Sequence, residues 1–411
     1  MNILDYLDWR GDLSFKASEP NEVDALIFAW LSYYRLEELE PLPTELTLRE
    51  LAELHERNNG PFQPIKLTTT IQPSLTAVWL LHCASQTPRF GSVHIRDFRR
   101  VADHAEGVQF AAVSFQIGDA ARVVAYRGTD DSIAGWKEDC RLSFLESVPA
   151  QVIAAKYLED VSDGRRTLLC GHSKGGNLAV YAALHAPEAM LDSIDQIYNF
   201  DGPGFCYDTL ESARFARIRE RIATIVPESS IVGMLLEHDE EYRIVESQMA
   251  GILQHDAMFW QVKGARFVYS DKRNASSVIA DRALRDWIQG MSPDERREFV
   301  DGLFGIVEST GAQHLSELPE KIVQSGMRTL AATVPLSPQR RKMTLRLLLA
   351  VVRAGNAKLY ESVMRSGIAA DIAEGTGQIT EAVEQKLDAI AARASARKSR
   401  PKKSRSPKDK L

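Results

Sequence analysis

Apolar residues recur at two different spacings along this chain, and the change of spacing marks its organisation. Within residues 21–36, Val23, Leu26, Ile27, Trp30, Leu31 and Tyr34 fall on one helical face, with Asn21 in the N-cap position, so a packing helix is predicted. A second apolar helix is predicted over 73–85, "PSLTAVWLLHCAS". Residues 41–73 between them are richer in Pro, Asn and Gly, and "NNGPFQP" reads as a loop or flap. From Val108 the period shortens. "VQFAAVSFQIGDAARVVAYRG" is two β-rich runs joined by a turn at Gly118-Asp119, which predicts a strand pair. There follow a helical stretch at 148–161, a strand at 167–170, a helix at 175–186, a strand at 194–200 and β-like runs at 221–227, 241–247 and 260–270.

Strands alternating with helices of about a dozen residues predict an α/β fold, with a mostly parallel sheet and helices on both faces. After about residue 275 helical patterns take over. Ser292 precedes an acidic first turn, with Phe299, Leu303, Ile306 and Val307 on one stripe, and similar patterns recur at 316–333, 337–354, 356–370 and 378–394. No internal repeat stands out. The expected organisation is an α/β domain over 1–274, a helical region over 275–394 and a basic, disordered tail over 395–411.

Charge sharpens that division. The chain of 411 residues carries a net charge of -6, yet its last 21 residues hold nine Lys or Arg against Asp409 alone, leaving 41 cations and 55 anions, or -14, in the body. Such a tail suits a weak contact with an anionic surface. Without interleaved aromatics to stack on bases, it does not predict specific nucleic-acid binding. Asp5 and Asp8 stand where a signal peptide needs a basic flank and an apolar run, and no stretch reaches the ~18 apolar residues that span a bilayer. The four cysteines are widely spaced, so a reduced cytoplasmic setting is expected. No HExxH, paired Cys and His spacing, GxxxxGK[ST] or GxGxxG pattern occurs, and neither metal nor cofactor is expected.

The chemistry concentrates in "LLCGHSKGGNLAV". Gly171-His172-Ser173-Lys174-Gly175 is a GxSxG sequence with an apolar strand before it and a helical pattern after it, the context of a nucleophile elbow. A serine hydroxyl needs a base, a group to orient the base, and donors for an oxyanion. One donor is the N–H of Lys174, the residue after the serine. The other is expected from "YRGTDD", where a β run ends at Tyr126 and Thr129 offers an N–H and a hydroxyl. Lys174 also carries an ammonium that could attract an anionic substrate group, His172 is expected to pack beside the elbow, and Trp136 and Asp139 are expected to brace the oxyanion loop.

"YRGTDDSIAGWKED" followed by "GHSKGGNLA" resembles the class 3 lipases, whose oxyanion loop runs as an aromatic-Arg-Gly-Thr/Ser segment. The wider set "ILDYLDWRGDLSF", "NEVDALIF", "NFDGPGF", "PESSIVGMLLEHDEEY" and "ILQHDAMFW" is similar to the Mbeg1-like family over roughly residues 1–270. The resemblance implies an α/β-hydrolase fold and a serine hydrolase, with no substrate specified.

Four histidines follow the serine. His185 ends the helix leaving the elbow, His238 lies among acids and reads as a solvated loop, and His314 falls in the helical region. His255, between two β-like runs in "GILQHDAMFW", sits where the final loop of a hydrolase sheet delivers its base. Two acids are open: Glu228 after "IATIVP", and Asp201 in "NFDGPGF", at a strand's C-terminal end where open α/β sheets bind ligands. The expected substrate is a small-molecule or lipid ester or thioester. The alternative is a non-catalytic scaffold that binds a protein partner.

Overall fold

The computed structural model describes residues 1–39, 45–65, 73–103, 107–118, 121–130, 132–230, 232–273, 290–314, 317–318 and 321. The basic tail and most of the helical stretches expected after residue 315 lie outside them. Two compact units are present, Met1–Asp130 with Ala134–Arg296, and Asp131–Ile133 with Arg297–Leu411. Among the described residues no helix is long and apolar enough to cross a membrane.

The first unit is built on eleven described strands: β1 (Leu46–Thr47), β2 (His94–Asp103), β3 (Val108–Ile117), β4 (Ala121–Tyr126), β5 (Arg166–His172), β6 (Ile194–Phe200), β7 (Ile222–Pro227), β8 (Tyr242–Val245), β9 (Val262–Lys263), β10 (Arg266–Phe267) and β11 (Tyr269–Ser270). Nine form one sheet in the order β1-β2-β3-β4-β5-β6-β7-β8-β11, and β9 and β10 make a separate hairpin. From β4 to β8 every pairing is parallel, while β1 to β4 and the β8–β11 pair are antiparallel. Among the described residues the α-helices are α1 (Ile3–Arg10), α2 (Glu22–Leu31), α3 (Leu48–Asn59), α4 (Pro73–Ser85), α5 (Ile133–Arg141), α6 (Pro149–Val161), α7 (Lys174–His185), α8 (Glu188–Leu191), α9 (Tyr207–Leu210), α10 (Ala213–Ile218) and α11 (Pro293–Ser309).

Because β4 to β8 follow chain order across the sheet, right-handed crossovers all step the same way, and the three from β4 to β7 lay their helices on the same face. That face holds Phe110 and Ala112 of β3, Val124 and Tyr126 of β4 and Leu169 of β5, packed with α6, α7 and α10. The alternate residues Val113, Phe115, Val123, Ala125, Leu168 and Cys170 point the other way, as the two-residue period of a strand demands, and are covered by α1, α2 and α4. This is the α/β-hydrolase fold, and its second helical layer is supplied by the first 85 residues.

That layer is locked by a buried ion pair. Arg89, with no exposed side-chain surface, donates from Nε to Asp24 Oδ1 at 2.8 Å and from Nη2 to Oδ2 at 2.6 Å. Its remaining donors reach the carbonyls of Leu13, Ser18 and Glu19, and Tyr6 Oη donates to Asp24 Oδ1 at 2.8 Å. Asn2 and Asn21 start α1 and α2 with capping boxes closed by Asp5 and Asp24.

Several segments depart from the sequence expectation, which marked none of the helices α1, α5, α8, α9 and α10. Residues 48–59 form helix α3 instead of a loop, begun by the Thr47/Glu50 capping box and docked through Leu48, Leu51 and Ala52; the Pro, Asn and Gly residues fall only at its edges. Strand β2 was hidden by Arg96, Asp97, Arg99 and Arg100, which lie past its short pairing with β1 at His94 and Ile95, with a bulge between Arg96 and Arg99 where Asp97 takes φ 55°. The run at 260–270 divides into β9, β10 and β11.

Arg89→Met is expected to lower the unfolding free energy by about 3–5 kcal/mol, because it strands a buried carboxylate. The double substitution Arg89→Met/Asp24→Leu should recover part of that loss in urea denaturation, because no orphan charge remains.

Candidate active site

β5 ends at His172 and α7 begins at Lys174, so Ser173 alone makes the turn between them, at φ 58° and ψ -134°. L-residues rarely occupy that region, and surrounding packing holds it here. A Cβ at Gly171 would run into the Gly175 carbonyl, and one at Gly175 into the Tyr126 carbonyl. The two glycines therefore let the first turn of α7 rest against β5 and β4. Ser173 N–H donates to Phe200 O at 2.9 Å, and Gly176 N–H to Ser173 O at 2.9 Å.

The next parallel strand, β6, delivers Asp201. This residue has φ 51°, its N–H donates to Ile225 O at 2.9 Å, and its side chain is fully buried. His255 closes a turn of 3-10 helix, Gly251–His255, between β8 and β9. Its Nδ1–H donates to Asp201 Oδ2 at 2.6 Å, while Ser230 Oγ–H donates to Oδ1 at 2.5 Å. That tautomer leaves His255 Nε2 as the ring's basic nitrogen. No hydrogen bond joins it to Ser173 Oγ in the structure, a contact that in this chemistry often tightens only with substrate. The ring lies 4.6 Å from that of His172, the residue before Ser173.

His172 is a latch. Its Nε2 meets the His255 carbonyl at 2.8 Å and must be the donor, so its Nδ1 accepts from Tyr33 Oη at 3.0 Å. Burial, and then the nearby His255, hold the His172 ring well below the usual histidine pKa, so it stays neutral. Trp30 covers the same ring at 4.8 Å. The turn carrying His255 is held further by Gln254, whose Oε1 accepts from Ser229 N–H at 2.6 Å and whose carbonyl accepts from Trp260 Nε1 at 2.8 Å.

Opposite lies the loop after β4. Arg127 anchors it, donating to Ser32 O at 2.5 Å and Tyr34 O at 2.7 Å and pairing with Glu37 at 2.9 Å. Among the described residues neither the Thr129 N–H nor the Lys174 N–H meets an acceptor.

The side chains of these two residues meet behind them. Thr129 Oγ1 donates to Asp139 Oδ2 at 2.5 Å, and Lys174 Nζ reaches Gln109 O at 2.8 Å, Gln109 Oε1 at 2.7 Å and Glu138 Oε2 at 3.0 Å, with Asp139 Oδ1 at 3.7 Å. Burial raises the Asp139 carboxyl to about 6 against the opposing Lys174 charge.

Two sequence expectations are thereby corrected. The Lys174 ammonium does not await an anionic substrate group, because it is fully buried in a cage of acceptors, and the Thr129 hydroxyl is already given to Asp139. Asp139 braces the loop after β4 through Thr129, whereas Trp136 is 38% exposed.

Of the two candidate acids, Asp201 meets His255 and Glu228 sits half-buried in the turn after β7. His185 stacks on Tyr181 at 4.1 Å and His314 bridges to Ser132 within the second unit. His238 is no solvated loop residue: its Nε2–H donates to Gly233 O at 2.7 Å and its Nδ1 faces buried Glu240 at 2.9 Å. Glu138, Tyr33 and Ser230 were not foreseen. Only Lys174 carried a signal, since a lysine inside an otherwise buried helix start must find an acid, and "WKED" provides a pair.

Sheet order and elbow define an α/β-hydrolase fold. The chain belongs to the Mbeg1-like family, whose model matches residues 84–305, more than half of its length. Among solved structures it aligns with the crystal structure of M37 lipase, at 14% identity over 59% of this chain and 81% of that one, with a TM-score of 0.30. No curated protein matches.

A pH experiment tests the buried charge at Asp139. The folded chain holds this proton more tightly than an ordinary aspartate with pKa 3.8, so its contribution to stability falls as pH rises from 3.8 to about 6. Asp139→Asn should therefore gain stability relative to wild type across that window, by at most about 3 kcal/mol, measured as the difference in unfolding free energy at pH 4 and pH 7.

Proposed function

We propose that this protein is a serine hydrolase that cleaves a carboxylic ester or thioester through an acyl-enzyme on Ser173. The observation that carries the reading is the buried Asp201 carboxylate bonded at 2.6 Å to His255 Nδ1, in a histidine whose ring lies against the residue preceding the strained serine. Among the two candidate acids, this is the partner a hydrolase base needs.

In the proposed cycle His255 Nε2 takes the Ser173 proton as Oγ attacks the carbonyl carbon, and Asp201 stabilises the imidazolium that forms. Negative charge grows on the carbonyl oxygen, and the N–H groups of Lys174 and Thr129 receive it. Collapse of the tetrahedral intermediate breaks the ester or thioester bond, and the imidazolium returns its proton to the leaving oxygen or sulfur. A water then attacks the acyl-serine by the same route, releasing the acid and restoring Ser173. Loss of one oxyanion donor costs on the order of 3 kcal/mol in comparable enzymes. Holding the Thr129 loop through Asp139 and Arg127 therefore bears directly on rate.

A fluorophosphonate activity probe tests the reading. Wild type should label, Ser173→Ala should not label at all, and His255→Ala should label more slowly by ~10³-fold or more. A folded wild-type sample that never labels would overturn the proposal and favour the scaffold alternative.

A further inference from the structure

Asp201 is held by more than His255. Its side chain is completely enclosed, and its second oxygen, Oδ1, accepts from Ser230 Oγ–H at 2.5 Å. Ser230 is itself buried and sits in the turn after β7, where its N–H donates to Pro227 O at 3.0 Å. The adjacent Ser229 N–H donates to Gln254 Oε1, on the turn that presents His255. One dipeptide thus grips the carboxylate with one residue and the histidine's turn with the other.

The segment that follows is shaped to press on the same carboxylate. A Cβ at Gly233 would run into Asp201 Oδ1, so only glycine lets the backbone pass there. Gly233 O is pinned by His238 Nε2–H at 2.7 Å, and His238 Nδ1 faces Glu240 Oε1 at 2.9 Å. Glu240 in turn accepts from Thr224 Oγ1 of β7 at 2.5 Å. Burial works to raise the Glu240 carboxyl, but His238 and the Thr224 hydroxyl hold it below the usual range, so it serves as an anionic anchor. Further along, Gly204 N–H donates to Leu235 O at 2.8 Å, and Phe205 pairs with Glu237, tying the segment to the chain just after Asp201. This architecture accounts for "PESSIVGMLLEHDEEY", the motif that the elbow and its base leave unused.

We infer that Ser230 is a positioning residue of the proposed hydrolase: its hydroxyl fixes the rotamer of Asp201 and draws off part of the carboxylate's charge, setting the basicity of His255. The inference rests on the hydrolase reading for its catalytic meaning. The underlying hold on Asp201 can be measured without turnover.

Removing the hydroxyl leaves Oδ1 buried with no donor among the described residues. The carboxylate then directs more of its charge to His255, and the His255 imidazolium is stabilised. Among the described residues the other titratable groups against this ring are His172, kept neutral by burial, and the neighbouring Asp256; both are unchanged by the substitution.

The test is NMR titration of the His255 ring in the full-length protein, alongside kinetics on a chromogenic short-chain ester. In Ser230→Ala the ring should titrate higher by about half a pH unit or more, with kcat lower by about 5–20-fold and KM within about twofold. Ser230→Thr, which keeps the hydroxyl, should return both values toward wild type. Ser230→Cys, close in volume and a weaker donor, should fall between and serves if the alanine variant does not fold. A His255 titration unchanged in both Ser230→Ala and Ser230→Cys overturns the inference. A folded wild type that never reacts with the ester or the probe overturns the hydrolase reading instead, and the titration still decides what Ser230 does to Asp201.

Discussion

Ser173 occupies a backbone conformation that few residues tolerate, and most of the first unit can be understood as what keeps it there. The turn stays sharp because β5 and α7 approach across Gly171 and Gly175 with no Cβ between them. It stays aimed because β4, β5 and β6 are hydrogen-bonded in parallel register, so Thr129, Ser173 and Asp201 all emerge at the same, C-terminal edge of the sheet. A parallel sheet has this property by construction: every strand ends on one side, and residues distant in sequence arrive together.

The N-terminal layer closes the other side of that edge. Trp30 and Tyr33 hold the ring of His172, and the backbone carbonyls of Ser32 and Tyr34 hold the guanidinium of Arg127. One helix end thus touches the residue before the proposed nucleophile and the loop of the proposed oxyanion donors. The buried Asp24–Arg89 pair fixes the start of the same helix. Charge buried at one end of α2 and aromatic packing at the other make its position stiff, and stiffness is what oriented donors require.

Lys174 illustrates how context reverses the meaning of a residue. Beside a nucleophile, an ammonium suggests attraction of a substrate. Here it is drawn inward to Gln109 and Glu138, and it shares Asp139 with Thr129. The two residues proposed as oxyanion donors are therefore coupled through a buried charge cluster. A buried lysine among acceptors contributes order to the loop more than net stability, since desolvating its charges offsets much of their attraction.

Taken alone, the sequence determined the α/β alternation from Val108 onward, the elbow and the chain order of the candidate residues. Strand and helix periods are local, and so is the requirement of glycine around Ser173; the α/β fold, the Ser173 turn and the candidacy of His255 could be read from neighbours along the chain. It left Asp201 and Glu228 open, because both follow strands of the same sheet and no local pattern says which carboxylate faces an imidazole 54 or 27 positions away. Only the tertiary structure decided that contact, along with the inward turn of Lys174, the burial of His238 and the grip of Ser230 on Asp201. Each depends on which side chains the sheet brings together after folding, and a hydrogen bond of under 3 Å is set by packing in three dimensions, to which spacing along the chain is blind.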